Sequence, residues 1–365
     1  MTPVPRKTAS VAWLCMFAFL LNLSYSIARP ATESLFLGAH GSRQLPWVWL
    51  LVAAGMAVTV SAYNRVLAGR NLVLLFGAVS LVSGVVLAAL QLALAGNVPG
   101  SYYLLYAWKD IYMVVLVEIF YSFANAIFPI RSARWLYGLF GAVGAGGGVL
   151  GNLAGGWLAA PGRLGTVDTL WVVLAPLGLL WLGSLVFCRE AERVGSAGRD
   201  DSAAKGEAVH IGEAMRLVRT SRYLLLVLGA VALVQVIVTA VDFEYNRVLE
   251  AVYPDTDVRT GITGRIYALV QALTALLHAL SGPLLRLAGV PIVLLSLPVL
   301  LAGGLSTFAL VPGFVTVSIV KVSSKVFDYT LFRNAKELLY IPLSYAQITR
   351  GKSIVDMLTY RIAKV

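Results

Sequence analysis

Ten runs of predominantly apolar residues, close to 9–28, 46–63, 72–95, 102–128, 137–159, 169–187, 223–241, 262–283, 290–311 and 314–331, occupy most of this 365-residue chain and limit what it can become. Each is near the ~20 residues that a helix needs to cross the hydrocarbon core of a bilayer, and several are long enough to tilt. With 59% hydrophobic and only 13% charged residues, and a mean hydropathy of +0.80, the balance excludes an ordinary soluble domain. No ten-residue alternating pattern suggests a barrel. The chain therefore reads as an all-α polytopic membrane protein. Arg6 and Lys7 precede a full-length apolar run with no small-residue cleavage site, so segment 1 is predicted to stay as a membrane helix.

Lysine and arginine number 29 against 18 acidic residues, and their placement sets the orientation. Arg65 and Arg70, Arg131 and Arg134, the 189–222 connection, Arg286 and the C-terminal tail all follow even-numbered segments, whereas the 96–101 and 312–313 connections carry no charge. By the positive-inside rule the N-terminus and the even-segment exits are expected in the cytoplasm. Arg29, Arg43, Arg163 and Arg259 fall on the outer side and weaken the bias without reversing it. Since topology accounts for the basic balance, a nucleic-acid partner is not expected. Two cysteines, Cys15 and Cys188, imply no disulfide framework, and the three histidines show no ligand spacing for a metal. No cofactor is expected.

The strongest break in the pattern is 189–221, polar at first and amphipathic from about Val209 to Val218. Six segments precede it and four follow. That division matches a transporter of two pseudo-symmetric six-helix halves: residues 1–188 the first, 189–221 a cytoplasmic linker with an interfacial helix, and 222–365 the second. On this count helices 11 and 12 are missing from the second half. Either the sequence is a fragment, or a partner completes the half.

Charges inside the apolar segments mark the candidate site. Lys321, Lys325 and Asp328 recur at i, i+4, i+7 in segment 10, and such a face cannot look at lipid, where each charge costs roughly 2.5–3.5 kcal/mol. Segment 4, its counterpart in the other half, repeats the spacing in Glu118, Ser122 and Asn125, with Lys109 and Asp110 nearer its outer end. Two polar stripes from symmetric positions are what a central solute cavity requires. The plain structural alternatives are a Lys325–Asp328 ion pair that pins the helix, and interhelical hydrogen bonds for Ser122 and Asn125. Segment 5 carries Gly144, Gly147, Gly148, Gly151 and Gly155 at small-xxx-small spacing, which predicts close packing on a neighbour. No phosphate loop is present, because Gly351-Lys352-Ser353 lacks the upstream glycine, and no nucleophile and base stand together, so the chain is not read as an enzyme.

The tail reads Tyr329-Thr330-Leu331-Phe332, then Lys336-Glu337, Tyr340-Ile341-Pro342-Leu343 and Gly351-Lys352 with Asp356. Collinear with it are Arg29, Glu33, Leu35, Gly41 and Pro46; Glu118 and Phe123-Ala124-Asn125; Ala133-Arg134, Tyr137 and Phe140-Gly141; Val241-Asp242, Tyr245, Leu249, Ala251 and Tyr253-Pro254; and Gly264. Together these resemble the ATP/ADP translocase family of bacteria and plastids. The resemblance implies a major-facilitator-like bundle in a bacterial inner membrane that exchanges nucleotides by alternating access, with segments 1, 4, 7 and 10 lining a central cavity. In that scheme Lys321 and Lys325 attract the anionic solute, Glu118 and Asp328 balance them when the site is empty, and Arg29, Asp242 and Arg247 act near the outer gate. Lys109, Asn125 and Arg333 complete the candidate set, and Tyr25, Phe123 and Tyr245 are candidates to stack a base. The chain departs from the family pattern at Thr32 and Asn246, where lysines are expected, and in the exchanged charges of Asp328 and Arg333. A smaller anion held by Arg29, Lys109, Lys321, Lys325 and Arg333 therefore stays open. So do a proton- or ion-coupled facilitator, titrating Glu118 and Asp328, and a non-transporting membrane scaffold.

Overall fold

The computed structural model describes residues 5–67, 71–128, 130–193 and 221–339. The amphipathic stretch expected at 209–218, the start of helix 11 and the tail motif from Tyr340 to Asp356 lie outside the described residues. Every regular element that is described is helical. In chain order these are α1 (Pro5–His40), a short 3-10 turn (Ser42–Gln44), α2 (Leu45–Leu67), α3 (Leu72–Ala95), α4 (Ser101–Ile127), α5 (Ile130–Leu158), α6 (Gly165–Val172) and α7 (Leu174–Arg193). After these come α8 (Arg222–Val252), α9 (Thr256–Leu310), α10 (Phe314–Phe327), a π turn (Asp328–Phe332) and α11 (Arg333–Leu338). Six helical stretches among the described residues are long and apolar enough to cross a membrane.

Local chemistry explains where helices begin and break. Asn71 caps α3, its side-chain oxygen accepting from Val73 N at 3.0 Å and Leu74 N at 3.5 Å. The sixth predicted segment is split into α6 and α7 at Val173, because Pro176 has no N–H to return to the carbonyl of Val172. Segments 8 and 9 form a single long element that changes direction at Gly289, whose φ of 75° is one that side chains resist. Two boundaries differ from the hydropathy reading. The first helix continues twelve residues beyond position 28 to His40, and the seventh runs beyond 241 to Val252. The polar residues there lie on uninterrupted helices, with Thr32, Glu33 and Ser34 buried on α1 and Asn246 buried on α8, while Arg247 stays exposed.

The chain divides into two compact units, residues 1–40, 54–204 and 253–269 in one, and 41–53, 205–252 and 270–365 in the other. In the first unit α1 lies against α5, α4 and α7. The α1–α5 contact is side-chain-free on one side, as the glycine spacing predicts. A Cβ on Gly147 would stand 2.3 Å from the carbonyl oxygen of Phe19, and one on Gly151 would stand 2.6 Å from that of Leu23. Only hydrogen fits there. Rings fill the neighbouring space, with Phe17 5.4 Å from Phe76 and 6.3 Å from Phe187, and Phe123 edge-on to Phe187 at 5.5 Å. In the second unit Val227, Val231, Val234, Val238 and Val241 form a helical stripe on α8, packed with Leu297, Leu301, Val320 and Phe332. Large apolar side chains on other faces, such as Leu226, Leu287 and Leu310, stand exposed, as a lipid-facing surface requires.

Candidate functional site

Each unit holds a cluster of buried or half-buried ionisable side chains carried on its helices. In the first, Arg29 and Glu33 sit one turn apart on α1, and Arg29 Nε donates to Glu33 Oε1 at 3.1 Å. Lys109, carried by α4, lies 3.7 Å from the same carboxylate oxygen and 3.0 Å from Asp110 Oδ1. Two phenols complete the set: Tyr267 donates to Glu33 Oε2 at 2.8 Å, and Tyr25 donates to Asp110 Oδ1 at 3.2 Å. Aromatic faces support the cations too. The Arg29 guanidinium lies 3.8 Å from the Tyr267 ring centre, and Lys109 Nζ lies 3.8 Å from that of Tyr106. The Lys109 side chain is only 1% exposed, so its charge is tolerable because it is paired and hydrogen-bonded.

The second cluster joins α8 to α10. Lys325 Nζ lies 2.5 Å from Asp242 Oδ2, and Lys321 Nζ lies 3.5 Å from Asp242 Oδ1, so one carboxylate serves two buried ammoniums. Lys321 also stands 3.9 Å from the ring centre of Tyr245, which is fully buried. Asp328 accepts from Gln235 Nε2 at 2.9 Å. That arrangement differs from the structural alternative of a Lys325–Asp328 pair: the lysine reaches across to α8 instead, and the aspartate takes an amide. Three residues after Lys325 the backbone enters the π turn, with Arg333 N returning to Asp328 O five residues back. Such a turn inserts one residue into the helical register and recurs at functional positions.

The sequence-predicted residues thus separate into three groups. Arg29 and Lys109 meet in the first cluster, and Asp242, Lys321, Lys325 and Asp328 gather in the second. Glu118 and Asn125 lie on an exposed face of α4, where Asn125 accepts a hydrogen bond from Tyr137. Arg247 is exposed on α8 and pairs with Glu244, while Arg333 is exposed on α11. Of the aromatic candidates, Phe123 is part of the ring-packed core, whereas Tyr25 and Tyr245 touch the charged groups. Sequence reasoning left out Glu33, Asp110, Gln235 and Tyr267 as site groups. For Glu33 the signal was present in its i, i+4 spacing from Arg29; Tyr267 and Gln235 are neutral residues that only tertiary contacts bring forward. Among the described residues no three His, Cys, Asp or Glu side chains are grouped to hold a metal.

The chain can now be set beside known proteins. A family model described as TLC ATP/ADP transporter matches residues 88–318 and 304–365. A mutant form of the nucleoside transporter NupG has a TM-score of 0.72 at 13% identity, covering 97% of this chain and 88% of that one. A bacterial homologue of the iron transporter ferroportin, inward-facing, has a TM-score of 0.69 at 13% identity, covering 99% and 90%. A bacterial homologue of the human lysosomal transporter Spinster, inward-facing and unoccupied, follows with 0.62 at 16%, covering 99% and 80%. At these identities the likeness is one of fold, and the fold is major-facilitator-like. No curated protein matches the chain.

Proposed function

Because this chain belongs to the TLC ATP/ADP transporter family, we propose that it exchanges an anionic solute, a nucleotide foremost, across a bacterial inner membrane by alternating access. The N-terminus is cytoplasmic in this reading, following the distribution of Lys and Arg, and residues 1–188 and 222–365 are the two moving halves joined by the 189–221 linker. Arg29 and Lys109, and Lys321 and Lys325, are the cations offered to the solute's phosphates. The observation that carries the proposal is the sharing of Asp242 by Lys321 and Lys325. Two ammoniums gathered at one carboxylate present a pair of cationic donors side by side in a low-dielectric setting, where phosphoryl oxygens accept charge-assisted hydrogen bonds strongly. The phosphate takes over both ammoniums, and Asp242 holds them when the solute leaves.

Vesicles loaded with unlabelled ADP and carrying the reconstituted protein test this directly. Labelled ATP or ADP enters only when nucleotide is present inside, and Lys325→Ala lowers that uptake about tenfold or more. Screening phosphosugars and inorganic phosphate alongside covers the smaller anions that Thr32 and Asn246 leave open. Wild-type vesicles that exchange no anion sink the reading. A second reading, proton coupling, is favoured by Asp328, a buried carboxylate bonded to a neutral amide. It expects uptake to follow an imposed pH gradient and to lose that dependence in Asp328→Asn.

A further inference from the structure

The segment Tyr253–Leu269 follows α8 in sequence and continues into the remainder of α9, yet it packs within the first unit. Its contacts there are dense. Arg259, 2% exposed, donates from Nε to Tyr253 O at 2.9 Å, from Nη1 to Ser34 O at 3.0 Å and from Nη2 to Pro254 O at 2.8 Å. Asp257 Oδ1 accepts from Thr166 N at 2.7 Å, at the start of α6. Backbones touch as well, since a Cβ on Gly264 would lie 2.5 Å from Asn152 O. None of these groups is one of the cations offered to the solute. Tyr267 differs, because its ring lies against Arg29 and its hydroxyl bonds to Glu33, the carboxylate that Arg29 and Lys109 share.

We propose that Tyr267 is the positioning residue through which anion binding at Arg29 and Lys109 loosens the Tyr253–Leu269 segment from α1. The inference rests on the exchange reading above. A phosphate that recruits Arg29 and Lys109 competes with Glu33 for both, and it draws the guanidinium off the Tyr267 ring at the same time. One binding event therefore removes the cation–π contact of Tyr267 and frees Glu33, to which its hydroxyl is bonded, from the two cations that fix it beside α4. Arg259 and Asp257 hold the segment whether or not solute is bound, so they set the strength of closure but do not report occupancy. The segment is continuous with the rest of α9, and any movement of α9 relative to α1 in the transport cycle has to undo these contacts. Tyr267 makes that release depend on solute.

The test places a cysteine at Ser34, which is fully buried beside the Arg259 bond, in a chain whose Cys15 and Cys188 are replaced. A water-soluble maleimide then reports release of the segment from α1, with and without ADP, while equilibrium binding of labelled ADP is followed in parallel. With Tyr267 intact, ADP accelerates labelling about tenfold, the size expected from losing a hydrogen bond to a charged group. Tyr267→Phe keeps the ring and binds ADP, yet the acceleration shrinks below about twofold, and in vesicles the maximal exchange rate falls while KM holds. Arg259→Ala raises labelling equally with and without ADP. The proposal is overturned if Tyr267→Phe retains the full acceleration, or if it abolishes ADP binding and thereby reveals a merely structural role. A parent protein that binds no anion brings down the exchange reading and this inference together, whereas a parent that binds ADP without any change in labelling rejects the inference alone.

Discussion

In the first unit the acid of α1, Glu33, is met by a cation of its own helix, Arg29, by a lysine of α4, Lys109, and by the hydroxyl of Tyr267, and Asp110 gives Lys109 a second carboxylate. In the second the acid of α8, Asp242, is met by two lysines of α10, while Asp328 takes the amide of Gln235. The helices involved are α1 and α4 in the first unit and α8 and α10 in the second. Each cluster sets two cations against two acids; the first is tied together by phenols, whereas in the second one acid takes both lysines and the other takes an amide. On the exchange proposed above both clusters offer cations to an anion, and the first also carries Tyr267, the contact proposed to loosen a neighbouring segment.

Substitutions that unbalance each cluster sharpen this contrast. Asp242→Asn has the largest expected effect: two ammoniums stay buried against a neutral amide, costing about 3–5 kcal/mol of stability by the precedent of broken buried pairs. Thermal unfolding in detergent and nucleotide exchange both report it, and a variant as stable as the parent removes the claim that Asp242 anchors that pair. Glu33→Gln is milder, about 1–3 kcal/mol, since Asp110 still serves Lys109 and the amide oxygen still accepts a hydrogen bond. Equal losses at Glu33 and Asp242 erase the distinction between the clusters. Gly147→Ala drives a methyl into the Phe19 carbonyl and displaces α1, costing about 1–3 kcal/mol and disturbing ligand contacts at Arg29 while leaving those at Lys325 alone. Paired Arg29→Lys and Lys325→Arg backgrounds show which cluster has shifted. Smallest of all, Arg247→Ala changes exchange by less than about twofold, because its pair with Glu244 is exposed and such pairs contribute little.

Much of the fold was legible in the hydropathy of the chain because apolar runs of bilayer length have few alternatives to helices. The glycine series of α5 likewise announced close packing, although nothing in its spacing named α1 as the partner. Lys321, Lys325 and Asp328 stood out because apolar residues flank them on both sides. Arg29 and Glu33, and Asp242 with Arg247, were harder to place, and for one shared physical reason. A hydropathy count treats a charged residue as the end of a membrane segment, but a helix whose charges pair with those of a neighbour can carry them inside. Both helices were therefore read as ending where their candidate site residues begin. The partners themselves, Asp242 for Lys325 and Gln235 for Asp328, depend on how α8 lies against α10, which no local pattern encodes.

Arg259 reaches main-chain oxygens at Ser34, Tyr253 and Pro254 instead of side chains. Every amino acid brings the same carbonyl, so these three positions can drift in identity without loosening that grip, as long as the backbone keeps its path. The demand falls on one guanidinium alone. A lysine there, with a single ammonium, could not span three acceptors in a plane. The surroundings of this anchor are thus free to diversify around a fixed point, and the fold can accommodate new solutes without rebuilding its fastening.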